Sequence, residues 1–179
     1  MTEKGFVIWL TGLPASGKTT IAREVGEYLR SRGLKVELLD GDEVRRWLSP
    51  EAGFSREDRE RHLRRVAYVS KLLARNGVAV IASFVSPYRS VREQARKTIE
   101  SERLKFIEVY IKCSLEECIR RDPKGLYKKA LNGEIKDMTG IQDPYEEPLN
   151  PEVIVNSENE DPDKCAEKII GKLKELDLI

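Results

Sequence analysis

The sequence predicts an α/β fold in which helices cover both faces of a five-stranded parallel sheet. Short apolar runs recur along the 179 residues, and stretches long enough for a crossover helix separate them. The runs that we expect to form strands are residues 6–10, 36–39, 78–84, 106–111 and 153–155. The expected helices lie near residues 18–32, 56–75, 89–102, 115–121 and 162–176. This alternation is typical of a three-layer fold, with one sheet between two layers of helices.

The first predicted strand, FVIWL, runs directly into the segment GLPASGKT at residues 12–19. This octapeptide has the pattern Gly, any four residues, Gly, Lys, then Ser or Thr, which is typical of a loop that binds nucleotide phosphates. Its glycines let backbone N–H groups face phosphate oxygens, and the helix that follows adds its positive dipole end. We expect Lys18 to reach the β and γ phosphates and the Thr19 hydroxyl to bind Mg²⁺ directly.

The second predicted strand ends at DGDEVR, residues 40–45, where two carboxylates flank a glycine. Ligands of parallel sheets bind beyond the carboxyl ends of the strands, so we expect this segment beside the phosphate loop. Two compatible interpretations of Asp40 stay open. It is a helix N-cap, or it orients and deprotonates an attacking hydroxyl and touches Mg²⁺ through water.

Residues 53–65, GFSREDRERHLRR, contain five arginines and open the third predicted helix. Ser55 and Asp58 form a capping box, which places the helix start near residue 56. Phe54 precedes the helix as an exposed aromatic residue, and Arg59 and His62 share one helix face. An aromatic plate with guanidinium groups suits an anionic, adenine-bearing substrate. The alternative is a solvated helix whose arginines pair with Glu57, Asp58 and Glu60.

Two later segments complete the predicted site. Val85, Ser86, Pro87, Tyr88 and Arg89 follow the third strand, at the same edge of the sheet as the phosphate loop. Residues 122–150 show no clear periodicity and carry many glycines and prolines, as a functional lid often does. The basic residues in and before this segment are Arg120, Arg121, Lys124, Lys128, Lys129 and Lys136. They either surround a transferring phosphoryl group after closure or form an ordinary solvated basic helix.

Length and composition restrict the class of protein. A chain of 179 residues suits one domain, residues 1–179. Its 32 basic and 31 acidic side chains give a net charge of +1, which argues against binding to nucleic acid or an anionic membrane. Three cysteines without a C-x-x-C pair and a single histidine support neither a disulfide framework nor a zinc site. With no membrane span or secretory signal in the sequence, we expect a cytoplasmic protein.

Several blocks of the sequence closely resemble adenylyl-sulfate kinase. They are GLPASGKT, DGDEVR, GFSREDR with the later RR, the segment 86–89, RDPKGLYKKA at 121–130 and GEIKDMTGIQDPYEEP at 133–148. The resemblance runs from about residue 6 to residue 152. It implies a P-loop kinase fold with a basic lid at about residues 122–150. It also implies transfer of the γ-phosphoryl group of ATP to the 3′-hydroxyl of adenosine 5′-phosphosulfate (APS), giving 3′-phosphoadenylyl sulfate and ADP in sulfate assimilation.

The resemblance also implies roles for individual residues. The implied catalytic residues are Lys18, Asp40 and Ser86. The residues implied for ATP are Gly12, Leu13, Pro14, Ala15, Ser16, Gly17, Lys18, Thr19 and Thr20. Those implied for APS are Asp42, Glu43, Val44, Arg45, Phe54, Arg59, His62, Val85, Ser86, Lys124, Asp137 and Met138. Mg²⁺ would be held by Thr19 directly and by Asp40 through water, and the protein would be a homodimer that is functionally coupled to ATP sulfurylase.

Three positions carry further expectations. The family usually has Asn where this chain has His62, and protonation of the imidazole would make APS affinity depend on pH near neutrality. The family usually has Phe where this chain has Met138, which can still fill an apolar slot over a base. The serine matching Ser86 is described in the family as a phosphoserine intermediate. Because no histidine lies near Ser86 in sequence to activate it, we expect direct in-line transfer with Ser86 binding substrate.

Three other functions remain as alternatives. A small-molecule kinase of the same fold could act on gluconate, shikimate or a nucleoside monophosphate, although the DGDEVR and lid blocks disfavour it. A GTP-dependent switch would share the phosphate loop, but the sequence has no Asn/Thr-Lys-x-Asp segment for guanine. A binding module without catalytic activity would bind ATP and show no turnover with any acceptor.

Overall fold

The computed structural model describes residues 5–179 and contains the predicted five-stranded parallel sheet. The strands are β1 (Phe6–Thr11), β2 (Lys35–Asp40), β3 (Val78–Ser83), β4 (Lys105–Lys112) and β5 (Val153–Asn156). Their order across the sheet is β2-β3-β1-β4-β5, and every neighbouring pair is parallel. All five strands therefore lie where the sequence predicted them.

The central strand shows why these apolar runs form strands buried on both faces. All six residues of β1 are buried. Ile8 and Leu10 pack into one apolar cluster, while Val7 and Trp9 pack into a second cluster on the opposite face. Side chains alternate between the faces of a strand, so a continuous apolar run fills both clusters at once.

Helices cover the two faces as predicted. The helices that match the predicted segments are α1 (Lys18–Ser31), α3 (Arg56–Arg75), α4 (Arg89–Glu100), α5 (Leu115–Arg121) and α7 (Pro162–Glu175). The apolar residues of α1 and α7 lie in the cluster on one face of the sheet, and those of α3 and α4 lie in the cluster on the other. The three-layer prediction is confirmed. Among residues 5–179, no helix combines the length and apolar character needed to cross a membrane.

Two helices were not predicted. One is α2 (Gly41–Leu48), which begins where the Asp40 carboxylate accepts a hydrogen bond from Gly41 N at 2.7 Å. The other is α6 (Leu126–Leu131), which lies inside the segment that we took to lack periodicity. Each helix has about two turns or fewer, so it offers too few repeats for a helical period to stand out.

The carboxyl ends of the strands bring the predicted site together. The ends of β1, β2 and β3 are level, because Ser83 pairs with both Leu10 and Asp40 in the strand register. The phosphate loop, α2 and the segment 84–88 therefore leave the sheet side by side. This edge is where a parallel sheet binds its ligands.

Candidate active site

The phosphate loop is a tight turn between β1 and α1 that needs its glycines. A Cβ atom at Gly12 would lie 2.6 Å from the Ile111 carbonyl oxygen, which no side chain tolerates. Gly17, the residue before α1, has a φ of 92°, in the left-handed region that favours glycine. The loop thus leads directly into the N-terminus of α1, where backbone N–H groups and the helix dipole favour an anion.

Lys18 lies at the centre of this loop and is almost fully buried. Its Nζ atom donates to the carbonyl oxygens of Gly12 at 3.0 Å and Leu13 at 2.7 Å, and to Ser16 Oγ at 3.3 Å. Burial lowers the pKa of Lys18 to about 8. All three acceptors of the ammonium group are neutral. A charged phosphate oxygen would therefore form a stronger hydrogen bond with Lys18 than they do.

The structure shows the Asp40 side chain as the N-cap of α2, and its role toward a hydroxyl and Mg²⁺ stays a prediction. Its Oδ1 atom caps α2 through Gly41 N, and the same atom accepts a hydrogen bond from Thr19 Oγ1 at 3.2 Å. The carboxylate is thus a structural cap that also lies against the first turn of the phosphate-loop helix. A hydroxyl and a carboxylate oxygen at this separation are hard oxygen ligands of the kind that Mg²⁺ takes, with phosphate and water completing its shell.

One cavity of about 1180 Å³ brings most of the predicted residues together. The predicted residues that line it are Pro14, Ala15, Gly17, Lys18, Thr19, Thr20, Asp40, Asp42, Glu43, Arg45, Phe54, Arg59, His62, Val85, Ser86, Lys124 and Met138. The predicted residues outside its lining are Gly12, Leu13, Ser16, Val44 and Asp137. The phosphate loop thus shares one cavity with Arg45 of α2, Arg59 of α3 and Phe54, which lies between the two helices.

The five residues outside the lining have clear positions. Gly12, Leu13 and Ser16 form the base of the phosphate loop and hold the Lys18 ammonium group. The Val44 side chain packs against the apolar cluster of α3 and β3, so it does not face the cavity. Asp137 has a φ of 59° and accepts a hydrogen bond from Arg59 through its backbone carbonyl.

Other residues of the lining were not predicted. They include Ser83 at the end of β3, Thr139 in the long segment (residues 122–150) and residues 157–162 after β5. The strand-end rule that we applied to the second and third strands would have found residues 157–162 had it been applied to the fifth. Thr139 gives no such signal, since its place depends on how the long segment folds back.

Phe54 and two arginines form a charged aromatic surface in the cavity wall. The Phe54 side chain is 61% exposed, and the guanidinium groups of Arg45 and Arg59 lie 4.7 and 5.8 Å from the centre of its ring. Arg45 donates to the Gly53 carbonyl oxygen. Burial and the nearby charge of Arg59 lower the pKa of Arg45. Two positive charges are thus held beside one exposed ring, which suits an anionic aromatic ligand.

Arg59 differs from the other arginines of its helix. Arg56, Arg61 and Arg64 pair with Glu60, Asp58 and Glu60, as the solvated-helix interpretation expects. Arg59 instead donates to the Phe54 carbonyl at 2.8 Å, to Thr139 Oγ1 at 2.8 Å and to the Asp137 carbonyl. It therefore joins α3 to the long segment across the cavity.

His62 corrects one expectation from the sequence. The side chain is only 2% exposed, and its Nδ1 atom lies 2.9 Å from Ser49 Oγ. Burial, followed by the charges of Arg45 and Arg65, lowers the pKa of His62 to about 4. The expectation that His62 titrates near neutrality is wrong, because a buried imidazole beside two guanidinium groups stays neutral there.

Ser86 is held by the backbone and by β1. It has a φ of 45° and is buried, and its Oγ atom accepts a hydrogen bond from the Trp9 indole at 3.0 Å. Its carbonyl oxygen accepts a hydrogen bond from Arg92 Nη1 at 2.5 Å. In the described part of the chain, no carboxylate or imidazole lies within hydrogen-bond distance of the Ser86 hydroxyl.

The basic residues near the long segment are partly neutralised. Arg120 and Arg121 both pair with Glu117 at 2.7 Å, and Lys124 pairs with Asp42 of α2. Of the six residues in the predicted basic set, only Arg120, Arg121 and Lys124 line the cavity. The basic charge at the cavity is therefore smaller than the sequence suggested.

The two ends of the long segment are attached differently. Residues 143–147 are fastened to the sheet edge: Tyr88 donates to Asp143 at 2.7 Å, Tyr110 donates to Glu147 at 2.9 Å and Glu146 N donates to the Pro87 carbonyl at 2.8 Å. Earlier in the segment, the Tyr127 hydroxyl donates to the Pro14 carbonyl of the phosphate loop at 2.9 Å. Met138 packs with Tyr127, Cys113 and Cys118 in a small apolar cluster and also lines the cavity.

Comparisons with known proteins point to one family. The family described as adenylylsulphate kinase matches residues 4–156. A probable adenylyl-sulfate kinase of Aeropyrum pernix is 58% identical over 157 residues, covering 88% of this chain and 86% of that protein. The adenylyl-sulfate kinase of a Picosynechococcus species is 49% identical over 179 residues, covering 100% of this chain and 99% of that protein.

Solved structures and a longer relative add to this picture. The APS kinase of Mycobacterium tuberculosis in complex with AMPPNP and APS is 40% identical, with a TM-score of 0.93, and the match covers 96% of this chain and 98% of that one. A hexameric APS kinase from Thiobacillus denitrificans matches with 28% identity and a TM-score of 0.75, over 99% of this chain and 30% of that one. A probable bifunctional SAT/APS kinase of Sorangium cellulosum is 48% identical over 96% of this chain and 29% of that protein.

Proposed function

Because the chain belongs to the adenylyl-sulfate kinase family and is an ATP-dependent kinase, we propose how its cavity carries out that family's reaction. The reaction moves the γ-phosphoryl group of ATP to the 3′-hydroxyl of APS. The observation that carries the proposal is the single cavity that joins the phosphate loop to the ring of Phe54 and its two arginines. A phosphoryl group can pass between two nucleotides only if both occupy one continuous space.

At the phosphate loop, residues 12–20 bind the triphosphate of ATP. Lys18 exchanges its contacts with loop carbonyls for contacts with the β and γ phosphates, where its charge offsets the charge that develops during transfer. Thr19 would hold Mg²⁺ directly and Asp40 would hold it through water; their oxygens lie 3.2 Å apart beside the loop, and oxygen ligands of this kind suit the ion. When bound, the ion neutralises phosphate charge and keeps the γ-phosphoryl group in line with its acceptor.

Asp40 orients the acceptor hydroxyl and accepts its proton. The 3′-oxygen of APS attacks the γ phosphorus, the bond to the β–γ bridging oxygen breaks, and the hydroxyl proton passes to the Asp40 carboxylate. Because the transition state is loose, Asp40 contributes chiefly by orienting the hydroxyl. Direct transfer needs no phosphorylated Ser86, and the Trp9 indole that binds the Ser86 hydroxyl is a hydrogen-bond donor, which cannot serve as a base.

At the other end of the cavity, the adenine ring of APS lies against Phe54, and Arg45 and Arg59 neutralise its phosphosulfate group. The polar residues Asp42, Glu43 and Lys124, together with His62, Val85, Ser86 and Met138, complete the APS site. Val44 and Asp137 contribute through their backbone, because the side chain of Val44 packs in the core and the carbonyl of Asp137 contacts Arg59.

The front of the long segment closes over bound nucleotides as a basic lid. Arg59 already reaches Thr139, and Lys124 already reaches Asp42, so few new contacts are needed for closure. The fastened residues 143–147 would act as the fixed end of this lid. Of the proposed lid, residues 122–150, the part that moves is therefore the part before residue 143.

The proposal extends to the setting of the enzyme. Residues 1–179 form one kinase domain that acts as a homodimer in the cytoplasm, with ATP and APS as its partners and without nucleic acid or membrane. The bifunctional relative of Sorangium cellulosum supports functional coupling to ATP sulfurylase, which supplies APS. Because one relative is hexameric, light scattering should be used to measure the number of subunits in this protein's assembly.

A panel of acceptors tests the proposed function. The protein is incubated with Mg-ATP and with APS, gluconate, shikimate or a nucleoside monophosphate, and ADP release and products are measured. We expect selective stimulation by APS and a product that carries a 3′-phosphate. Stimulation by another acceptor would favour a different small-molecule kinase, and no turnover with any acceptor would favour the binding module. Replacing ATP by GTP tests the nucleotide in the same assay.

A further inference from the structure

A chain of three polar side chains lies behind the APS end of the cavity. Arg65 Nη1 donates to Ser49 Oγ at 3.2 Å and to the Leu48 carbonyl oxygen at 2.8 Å. Ser49 Oγ in turn lies 2.9 Å from Nδ1 of His62. Ser49 and His62 are 1% and 2% exposed, so water does not compete for these contacts. The family resemblance assigned no role to Ser49 or Arg65.

The count of hydrogens decides which ring nitrogen of His62 carries the proton. Ser49 Oγ accepts from Arg65, and within residues 5–179 its remaining hydrogen-bond contact is His62 Nδ1. A proton on Nδ1 would leave the buried serine hydrogen without an acceptor, which is costly. If Nδ1 is bare, the serine hydrogen is donated to it, and the proton lies on Nε2.

The Nε2 atom is the open end of this chain. It is buried and has no hydrogen-bond partner among the described residues, while the His62 ring lines the cavity. Phe84 meets the ring edge to face, with ring centres 5.6 Å apart. A buried donor without a partner indicates a place where a ligand supplies the acceptor.

We propose that Ser49 and Arg65 are positioning residues that hold His62 in its neutral Nε2–H tautomer, so that the imidazole donates one hydrogen bond to an acceptor atom of the bound sulfated nucleotide. This inference rests on the proposed function, because it takes APS as the ligand next to His62. The side-chain amide of Asn also offers an N–H donor, which explains how this chain keeps the site with a histidine.

The charged groups around His62 favour the neutral ring. Arg45 of α2 and Arg65 of α3 face it with positive charge, and Glu51, which pairs with Arg65 at 2.6 Å, is the acidic group nearby. Burial and the two arginines disfavour an imidazolium ion. The donor on Nε2 therefore persists across the neutral pH range.

Nitrogen-15 NMR of the imidazole tests the tautomer directly, because His62 is the only histidine in the chain. In uniformly labelled protein without a histidine tag, the chemical shifts of the two ring nitrogens report which one is protonated. We expect a bare Nδ1 and a protonated Nε2, with no change in either shift between pH 8 and about 5.5. A protonated Nδ1, an equal mixture of tautomers or titration near pH 6.5 would overturn the inference.

Variants then test the link to substrate. Ser49→Ala and His62→Leu should each raise KM for APS by roughly 5- to 20-fold with KM for ATP unchanged, as expected for one lost hydrogen bond. His62→Asn, which restores a donor, should stay within about threefold of the native KM. Ser70→Ala is the matched control for Ser49→Ala, because Ser70 is also a buried serine but lies further along α3, the helix of His62, and does not line the cavity.

These outcomes separate the inference from the proposed function. If APS fails to stimulate ADP release at all, the proposed function fails, yet the tautomer of the free protein remains measurable. If APS is phosphorylated but Ser49→Ala and Ser70→Ala leave KM for APS equally unchanged, the positioning role is wrong. Thermal unfolding of each variant checks that it is folded.

Discussion

Individual residues of the proposed site also make contacts that hold the fold together. Asp40 caps α2 and also touches Thr19, and Lys18 holds the phosphate loop closed while it lies ready for a phosphate. The sequence predicted Lys18 because the phosphate-loop pattern is local, and it predicted Asp40 because that residue directly follows a strand. It could not predict the pKa of His62, which depends on burial and on arginines that the fold brings near.

Asp40→Asn separates the chemical role of Asp40 from its capping role. An asparagine still caps a helix well, so stability should change little, but its neutral side chain orients the acceptor hydroxyl more weakly than a carboxylate and cannot accept its proton. We expect kcat to fall by about 10²- to 10⁴-fold, measured in steady-state kinetics with saturating ATP and APS. Thermal unfolding is the control. A change confined to KM would make Asp40 a binding residue only.

Because the ammonium group of Lys18 is buried, we expect the affinity for ATP to fall at alkaline pH. With its pKa lowered to about 8, Lys18 in the free protein is charged below that pH and loses its proton above it. Phosphate binding favours the charged form, so the affinity for ATP is nearly complete at about pH 7 and falls as the pH rises through 8. The dissociation constant for ATP should rise by about tenfold between pH 7 and pH 9, measured by calorimetry.

Lys18→Arg is the matched control for this pH effect, because a guanidinium group stays protonated throughout the range. Its ATP affinity, even if weaker overall, should be flat between pH 7 and pH 9. A flat profile in the native protein would show that Lys18 keeps its proton and would contradict the proposed effect of burial.

At the scale of elements, the cavity is built where α2, α3 and the long segment meet. Long helices such as α3 were predictable, since twenty residues repeat the apolar period several times. The helices α2 and α6 were not, because six to eight residues give too little pattern. The contact of Arg59 with residues 137 and 139 could not be predicted either, since no local sequence rule links positions so far apart.

Arg59→Ala tests whether this meeting of elements binds APS. The variant loses the charge beside Phe54 and the bridge to Thr139, so APS affinity should fall by about 10- to 100-fold while ATP affinity stays unchanged. Hydrogen exchange of residues 132–141 should also become faster. Both quantities are measured on the same protein preparation.

Arg61→Ala is the control on the same helix, because Arg61 pairs with Asp58 and does not line the cavity. It should leave the affinity for APS and the exchange rates near their native values. Equal effects of the two substitutions would mean that the arginines act only as a general positive charge.

At the scale of the whole molecule, one buried arginine ties the sheet to the site. Arg92 is 2% exposed and donates to Glu108 of β4 at 2.8 Å, to the Ser86 carbonyl at 2.5 Å and to the Glu146 carbonyl at 2.5 Å. It joins α4, the central sheet and both loops behind the cavity. The strands and layers could be predicted from apolar patterns. The burial of Arg92 could not, because α4 is rich in polar residues and nothing in its sequence distinguishes Arg92 from its exposed neighbours.

Arg92→Met should therefore destabilise the fold strongly. The change removes the closest cation from the Glu108 carboxylate, whose side chain is only 12% exposed, and leaves two backbone carbonyls without their donor, so the free energy of unfolding should fall by about 3–5 kcal/mol in urea titrations. Lys97→Met is the control on the same helix, where the exposed pair with Glu93 should contribute less than about 1 kcal/mol. Similar losses for both variants would contradict the structural role of Arg92.

The central claim is that ATP and APS face each other across one cavity, and a crystal structure with a non-hydrolysable ATP analogue and APS tests it most directly. We expect the triphosphate in the loop at residues 12–20, the adenine of APS against Phe54, and its 3′-oxygen roughly 3–3.5 Å from the γ phosphorus. If the two ligands occupied separate cavities, or if the 3′-oxygen pointed away from the phosphate loop, the account would be contradicted.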